Sequence, residues 1–257
     1  MCFDLDSRPP ITPIAGGALD AERIVLASED GSRFSAFRAR AEAPGGAGIV
    51  ILPDVRGLHQ YYEELALRFA EHGIDALAID YFGRSAGLLP RPGDFDHKPH
   101  VGQTRWSTLA ADIRAGAEHL RSADGGSPRA LFTTGFCMGG RLTFLSATLG
   151  LGLAGVIGFY GWPVGPSSNG TPAPIEVADR IASPVLAIYG GADPGIAPEV
   201  APAFDAALTE AGVEHRTRVY DGAPHSFFDR KAAEFADASA AAFAETLVFI
   251  RERTPTP

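Results

Sequence analysis

Short apolar runs of strand length recur along the chain and are separated by segments of a different periodicity. Continuous apolar runs, which are typical of parallel strands buried on both faces, occupy residues 49–52, 74–79, 130–135, 155–160 and 184–189. Further strands are predicted at residues 23–27, 34–38 and 216–220. The second of these alternates apolar and polar residues, as expected at a sheet edge. The pattern therefore predicts a sheet of about eight strands.

The segments between these runs carry apolar residues at helical spacing. In the first of them Tyr62, Leu65 and Phe69 fall on one face, and Gly73 is a typical C-terminal stop. Further helices are predicted after Ser107 as an N-cap, after Gly140, and over residues 198–211 and 231–251. Strands that alternate with helices predict an α/β fold with a doubly wound, mostly parallel sheet flanked by helices.

Two segments of the chain lack a clear periodicity. Residues 1–20 are expected to begin the chain as an irregular segment, and residues 83–105 hold several prolines. A loop as long as 83–105 is usually functional in a compact domain, so we expect it to wall or cover a site. No change of composition and no internal repeat divides the sequence, so we expect a single domain over residues 1–257.

Net charge and cysteine content limit the classes of partner and the cellular compartment that we expect. The formal net charge is −9, which argues against nucleic acid or an anionic membrane surface as the partner. Cys2 and Cys137 are the only cysteines, so a disulfide framework is not expected and a reducing, cytoplasmic compartment is favoured. We expect a monomer or homodimer that acts on a small molecule.

Two segments bear on targeting and on membrane insertion. Residues 1–17 contain acidic residues and prolines but no basic n-region, so a signal peptide is not expected. Residues 142–175 contain no charged residue. Glycines and prolines interrupt this stretch before about 20 apolar residues accumulate, so a membrane span is not expected.

The chemistry centres on residues 135–139, which read Gly-Phe-Cys-Met-Gly. This is the G-x-S-x-G pattern of a nucleophile elbow with a thiol in place of the hydroxyl. Such an elbow is a tight strand-to-helix turn that needs small neighbours and presents its nucleophile at a helix N-terminus, where a thiolate is favoured. Cys137 is therefore the predicted nucleophile, with a buried structural cysteine as the alternative.

A cysteine nucleophile needs a base, and the base needs an acid that orients it. Asp193 follows the predicted strand at 184–189, and His225 lies in the loop before the closing helix. Cys, Asp and His in this chain order match the α/β-hydrolase triad. Because each follows a predicted strand, the three should meet at the carboxyl edge of the sheet. We predict Cys137 as nucleophile, His225 as base and Asp193 as orienting acid.

The same geometry predicts further parts of the site. The backbone N–H of Met138 and that of Val55, in the loop after the 49–52 strand, are the predicted oxyanion donors. Tyr160 and Trp162 are candidates to line a substrate pocket. Asp94, Asp96, His97 and His100 cluster within seven residues, but their loop lacks regular spacing, so no metal site is expected there.

Two other functions stay open at this point. The first is a thiol redox or sensor protein in which Cys137 is oxidised rather than acylated. The second is a non-catalytic α/β-hydrolase scaffold that binds a small molecule as a receptor. The redox function does not explain why Asp193 and His225 accompany the cysteine, and a receptor is expected to have lost a member of the triad.

Four motifs resemble the dienelactone hydrolase family of α/β-hydrolases. They are residues 135–140 (Gly-Phe-Cys-Met-Gly-Gly), 160–161 (Tyr-Gly), 190–193 (Gly-Gly-Ala-Asp) and 225–227 (His-Ser-Phe). The resemblance implies the α/β-hydrolase fold and the activity of a carboxylic ester hydrolase similar to carboxymethylenebutenolidase. It also implies hydrolysis of a lactone or activated ester through a cysteinyl acyl-enzyme, without a cofactor.

The resemblance also implies roles for individual residues. Asp54 stands where the family has a glutamate linked to activation of the thiol. Arg84 matches the first of two arginines that help bind a substrate carboxylate, whereas the second position holds Asp229, a reversal of charge. Arg56 and Arg230 are the candidates to compensate for the missing arginine.

Overall fold

The computed structural model describes residues 7–91 and 95–256. Its sheet consists of β1 (Ala18–Ala27), β2 (Arg33–Ala41), β3 (Ala47–Leu52), β4 (Ile74–Ile79), β5 (Ala130–Phe136), β6 (Gly155–Phe159), β7 (Val185–Gly190) and β8 (His215–Tyr220). The strand order is β1-β2-β4-β3-β5-β6-β7-β8. β2 is antiparallel to β1 and β4, and all pairs from β4 to β8 are parallel. The predicted doubly wound, mostly parallel sheet is confirmed.

Helices cover both faces of this sheet. They are α1 (Gln60–Glu71), α2 (Gly83–Ala86), α3 (Lys98–Val101), α4 (Trp106–Arg121), α5 (Met138–Ser146), α6 (Val200–Glu210) and α7 (Ala236–Glu252), with a 3₁₀ segment at Pro174–Arg180. On one face Phe69 of α1 packs against Phe243 of α7. On the other face lie α4, α5 and α6, where Phe144 contacts Phe204. The sheet is therefore the middle of three layers.

Burial explains why the strongest apolar runs became the central strands. Every residue of β3, β4, β5, β6 and β7 is buried. The edge strands β1 and β8 keep exposed side chains along their length. Parallel strands with helices on both faces have no solvated side, so they need continuous apolar sequence.

Two segments that we expected to be irregular contain regular structure. β1 begins at Ala18, so residues 18–20 are strand. The long connection at 83–105 includes the single-turn helices α2 and α3. The helices α2 and α3 are too short for a helical periodicity to be recognised in their sequence.

Four predicted helix starts differ from the structure. α5 begins at Met138 rather than after Gly140, and α6 begins at Val200 rather than at residue 198. α4 begins at Trp106, after an extended Arg105, so Ser107 lies inside the helix instead of capping it. α7 begins at Ala236 rather than at residue 231. The residues before it form turns in which the carbonyl of Ser226 accepts two backbone amides, and these turns replace the first helical turn.

The uncharged stretch at 142–175 is divided among several elements. It forms most of α5, all of β6 and the irregular loop that follows β6. Across the described residues, no helix combines the length and the apolar character that crossing a membrane requires.

Candidate active site

The predicted catalytic residues lie just beyond the carboxyl ends of parallel strands. Asp54 follows β3, Cys137 follows β5, Asp193 follows β7 and His225 follows β8. Parallel strands end at the same edge of a sheet, where loops of such folds form ligand sites. The topology therefore brings these four residues to one edge.

Cys137 occupies the tight turn between β5 and α5. Its backbone has φ 55° and ψ −114°, a conformation that residues with a side chain rarely adopt. The Cys137 amide donates to the carbonyl of Phe159 at the end of β6, at 3.0 Å. Its carbonyl accepts the amide of Arg141 at 3.1 Å and so starts the helix. Bonds to both neighbours hold the turn in its strained conformation.

The glycines on either side of the turn are required by close backbone contacts. A Cβ added to Gly135 would lie 2.1 Å from the carbonyl oxygen of Gly139. One added to Gly139 would lie 2.0 Å from the carbonyl oxygen of Leu52. No side chain fits at these distances, so the backbone of this elbow can be built only with glycine at both positions.

His225 and Asp193 form a direct pair. Nδ1 of the imidazole lies 2.6 Å from Oδ2 of Asp193, whose side chain is fully buried. The second carboxylate oxygen, Oδ1, accepts the amide of Gly195 at 2.8 Å. Donation from Nδ1 to the carboxylate selects the tautomer in which Nε2 carries the lone pair, so Nε2 is the proton acceptor of this pair.

The amides of Val55 and Met138 are available as oxyanion donors. Within residues 7–91 and 95–256, neither N–H donates a hydrogen bond. By contrast, the amides on both sides of Val55 are used. The Asp54 N–H donates to the Tyr62 hydroxyl at 3.0 Å, and the Arg56 N–H donates to Asp54 Oδ1 at 2.8 Å. These two bonds fix the turn that carries Val55.

Asp54 and the thiol share an enclosed region with Tyr81. Asp54 and the Tyr81 ring are buried, and the Tyr81 hydroxyl donates to the carbonyl of Pro53 at 2.8 Å. Burial raises the pKa of Tyr81 well above its usual value, and electrostatic interactions with Asp54, Asp80 and Cys137 raise it further. One phenol thus lies within electrostatic reach of both Asp54 and Cys137.

Asp229 is a buried acid near the pair of His225 and Asp193. Its side chain is 3% exposed. The Tyr160 hydroxyl donates to its Oδ2 at 2.6 Å, and the Arg230 amide donates to its Oδ1. Burial raises the pKa of Asp229 to about 8, against the opposing effect of these hydrogen bonds. Asp229 is therefore largely protonated at neutral pH.

The arginines predicted to bind substrate have different surroundings. The Arg84 guanidinium lies 2.6 Å from Asp112 on α4 and 3.1 Å from Asp30 in the turn between β1 and β2. Arg56 is half-buried, and Arg230 is exposed. Two carboxylates thus already compensate the charge of Arg84.

An ion pair missed in the sequence anchors the 83–105 connection to the sheet edge. Arg91 binds Asp80 at the end of β4 through two hydrogen bonds, at 3.0 and 2.5 Å. Asp80 also accepts the amides of Leu58 and Phe82. An acid directly after a predicted parallel strand was the available signal for this contact.

Arg141 is a second functional candidate that the sequence reasoning missed. It is 1% exposed and bonds the hydroxyl of Thr171 and several carbonyls of the loop after β6. Burial lowers the pKa of Arg141 to about 10. Its position just before a long uncharged stretch was the signal, since a lone charge there needs internal partners.

The aromatic candidates differ in exposure. Trp162 is half-buried, with the Arg141 guanidinium 5.7 Å from its ring centre. Tyr160 is fully buried and packs against His225. In the acidic and histidine cluster of the 83–105 connection, Asp94 lies outside the described residues. Among all the described residues, including those of this connection, no group of three or more potential metal ligands comes together.

Comparisons with known proteins identify the family. The model of the dienelactone hydrolase family matches residues 34–253. A Salmonella typhimurium (strain LT2) protein, provisionally named as a carboxymethylenebutenolidase, is 30% identical over 85% of this chain and 82% of its own length. A Methylorubrum extorquens protein of the same provisional name is 29% identical over 86% of this chain and 76% of its own length.

Solved structures share the fold. A crystal structure from Klebsiella pneumoniae, provisionally described as a dienelactone hydrolase, has a TM-score of 0.73 at 25% identity and covers 90% of this chain and 98% of that one. A puromycin hydrolase has a TM-score of 0.74 at 17% identity and covers 96% of this chain and 42% of that one. The second likeness concerns the fold alone. Together with the family match, these findings show that the chain belongs to the dienelactone hydrolase family and is a carboxylic ester hydrolase with the α/β-hydrolase fold.

Proposed function

We propose that this enzyme hydrolyses a lactone or an activated carboxylic ester through a cysteinyl acyl-enzyme. Cys137 is the nucleophile, His225 the general base and Asp193 the acid that orients the base. The observation that carries the proposal is the 2.6 Å contact between His225 Nδ1 and buried Asp193 at the sheet edge that holds the Cys137 turn. The name carboxymethylenebutenolidase, given to relatives, supports a lactone as the substrate.

The acylation half begins with loss of the thiol proton. His225 Nε2 or the Asp54 carboxylate accepts this proton. The thiolate attacks the carbonyl carbon, and the resulting oxyanion accepts the N–H groups of Met138 and Val55. Collapse of the intermediate breaks the C–O bond to the leaving group. The leaving oxygen takes up the proton, and the acyl group stays on sulfur as a thioester.

The deacylation half returns the enzyme to its starting state. His225 takes a proton from water as the water oxygen attacks the thioester carbonyl. The same two amides bind the second oxyanion. The C–S bond then breaks, the carboxylic acid product leaves, and the proton on His225 neutralises the thiolate.

Sulfur restricts which substrates react. A thiolate leaves more readily than an alkoxide, so an intermediate with a poor oxygen leaving group returns to substrate. Enol-lactones and aryl esters release a stabilised enolate or phenolate. They are therefore better substrates for this site than simple alkyl esters.

The proposal includes the surroundings of the reacting carbonyl. Trp162 is half-buried and is proposed to contribute aromatic surface on one side, whereas the fully buried Tyr160 supports His225 instead of lining the pocket. Arg56, Arg84 and Arg230 are the cations proposed for an acidic group of the substrate, and Arg84 has to release carboxylate partners to serve in this way. Asp54 is proposed to take the role of the activating glutamate.

The proposed setting is a reducing one. A thiol nucleophile has to stay reduced, so we place the enzyme in the cytoplasm. We also propose that it is a monomer or a homodimer. The net charge of −9 favours a small-molecule substrate over nucleic acid or a membrane surface as its partner.

The test compares the wild type with Cys137→Ala and His225→Ala on three substrates. These are an enol-lactone that carries a carboxylate, a neutral lactone and an aryl acetate. Turnover is followed, and acylated protein is trapped and measured by intact mass. We expect a thioester on the wild type and loss of turnover in both variants, by roughly 10³-fold or more.

The chain supplies a matched control, because Cys2→Ala removes its other thiol. This variant should keep full turnover and form the same thioester. Turnover that survives in Cys137→Ala would contradict the nucleophile assignment. Absence of turnover on every substrate, with Cys137 readily oxidised by peroxide, would favour a thiol sensor instead.

A further inference from the structure

A buried group of two acids and three tyrosines adjoins the triad. We name it the acid–tyrosine cluster, and its members are Asp54, Tyr61, Tyr62, Tyr160 and Asp229. All five side chains are buried. They come from the loop after β3, from α1, from the end of β6 and from the loop after β8. The proposed mechanism uses Asp54 but assigns no role to Asp229.

Both oxygens of Asp229 accept hydrogen bonds. The Tyr160 hydroxyl donates to Oδ2 at 2.6 Å, and the Arg230 amide donates to Oδ1. Tyr61 supports the same segment from α1, because its hydroxyl donates to the carbonyl of Phe228 at 2.8 Å. The carboxyl group of Asp229 is therefore held in place and fixes the position of the Tyr160 hydroxyl.

Tyr160 connects Asp229 to the catalytic base. Its ring centre lies 4.8 Å from that of the His225 imidazole, with an angle of 55° between the planes. Its backbone has a φ of 38°, a strained value for a residue with a side chain. The preceding residue, Phe159, accepts the amide of Cys137. Tyr160 thus contacts the base directly and the nucleophile turn through its neighbour.

We propose that Asp229 is a positioning residue for the proposed hydrolysis, that it holds Tyr160 against His225 in its protonated form, and that its ionisation limits the reaction on the alkaline side. This inference rests on the proposed function of Cys137 and His225. It assigns a role to a residue that touches neither substrate nor the reacting atoms.

The electrostatics of the cluster explain why Asp229 carries a proton. Burial is the largest cause that raises its pKa, to about 8, and the nearby Asp54 adds to this effect. The hydrogen bonds from Tyr160 and Arg230, and the charge of His225, act in the opposite direction. The tyrosines add no charge, because burial and Asp229 itself raise the pKa values of Tyr61 and Tyr160. Two buried carboxylates so close together are costly when both are ionised.

Ionisation of Asp229 acts against the catalytic steps. Both the Cys137 thiolate and the oxyanion intermediate are negatively charged. Above about pH 8 the cluster that contains Asp54 gains a second buried negative charge. This charge disfavours both anions and increases the cost of burying the cluster. Acylation should therefore slow as Asp229 loses its proton.

The test is the pH profile of kcat/KM for Asp229→Asn on a neutral aryl ester between pH 6 and 10. Asparagine has nearly the same shape and cannot ionise, and its amide oxygen accepts the Tyr160 hydrogen bond while the bond from the Arg230 amide is lost. The wild type should lose activity with an apparent pKa of about 8. The variant should keep its activity at pH 7 within about threefold, with the alkaline decline moved upward by about one pH unit or more.

A second variant and a control distinguish an effect of Asp229 ionisation on activity from a purely structural role of Asp229. Tyr160→Phe removes a hydrogen bond that favours the carboxylate, so the pKa of Asp229 rises and the alkaline decline also moves upward. Asp221→Asn removes an exposed acid of the same loop region and should leave the profile unchanged. A uniform loss of activity at every pH in Asp229→Asn, with the decline unmoved, would overturn the proposal.

A substrate-free measurement distinguishes failure of this inference from failure of the proposed function. The rate of Cys137 alkylation by iodoacetamide is measured against pH in the wild type and in Asp229→Asn. We expect the two alkylation profiles to diverge above about pH 8, with slower alkylation in the wild type than in the variant. The proposed function fails if turnover does not depend on Cys137, whereas identical alkylation profiles in both proteins overturn the role of Asp229.

Discussion

Two buried aspartates at the same sheet edge have partners of different kinds. Asp193 accepts from the imidazole of His225, a group that becomes cationic when it takes up a proton. Asp229 accepts from the phenol of Tyr160, which remains neutral. A carboxylate beside a developing cation stabilises charge separation, whereas one beside a phenol has no such partner. The difference in partners supports the proposed triad role of Asp193 and leaves Asp229 to the acid–tyrosine cluster.

The role of Asp193 leads to a prediction for Asp193→Asn. The amide keeps the shape but cannot stabilise the imidazolium, and it can turn the histidine to the wrong tautomer. We expect kcat to fall by roughly 10³- to 10⁴-fold. Steady-state kinetics measure this loss, and circular dichroism checks that the variant is folded.

The chain offers a matched control in a second aspartate–histidine pair. Asp205 of α6 lies 3.2 Å from His215 at the start of β8, and its side chain is partly exposed. Asp205→Asn removes this pair and should leave kcat within about twofold, since exposed ion pairs contribute little. Equal losses in the two variants would show that Asp193 acts on the fold rather than on the chemistry.

At the residue scale, the sequence predicts some contacts of the site and misses others. The elbow is readable because its glycines and cysteine lie within five consecutive positions. The contact between Tyr160 and Asp229 joins residues 69 positions apart and has no motif. The reversal of charge at Asp229 was visible from the family resemblance, but its partner and its protonation depend on burial that only the fold defines.

At the scale of elements, strands were more predictable than helix ends. The central strands need continuous apolar sequence because helices cover both faces, and this pattern is strong. Helix ends depend on weaker, local interactions. Ser107 is a good N-cap residue, but α4 begins one position before it, with no side-chain cap at Arg105. The boundaries that matter for the site are strand ends, which explains why the placement of Cys137, Asp193 and His225 at one sheet edge could be predicted.

Arg141 connects the elbow helix to the loop after β6, and its loss should loosen that loop. The guanidinium donates to carbonyls from Trp162 to Pro172 and has no carboxylate partner within the described residues. Arg141→Met leaves these buried acceptors without donors. We expect the free energy of unfolding to fall by about 2–4 kcal/mol, measured by urea denaturation.

Arg114 of α4 provides a matched control for Arg141. Arg114 is only partly buried, unlike Arg141, and it donates to a single loop carbonyl, that of Leu149, at 2.7 Å. Arg114→Met should cost about 1 kcal/mol or less. Amide exchange should become faster at residues 162–172 in Arg141→Met alone. Equal costs and equal exchange in both variants would contradict a specific role of Arg141 in this loop.

At the scale of the whole molecule, acidic residues outnumber basic residues, and carboxylates pair with cations near the site. The chain has 31 acidic and 22 basic residues. Arg84 and Arg91, near the carboxyl edge, are paired with carboxylates, and the buried Asp54 lies at the same edge. An anionic substrate therefore approaches a negatively charged protein whose local cations are largely compensated.

This arrangement predicts how salt affects substrates of different charge. For a lactone that carries a carboxylate, kcat/KM should rise by about two- to fivefold between 10 and 200 mM NaCl. Added salt shortens the distance over which the negative protein repels the negative substrate. The methyl ester of the same lactone is the matched neutral control and should change little. Initial rates at low substrate concentration measure both. A fall with salt for the carboxylate substrate alone would mean that a local cation, with Arg56 and Arg230 as candidates, outweighs the net charge and steers anions into the site.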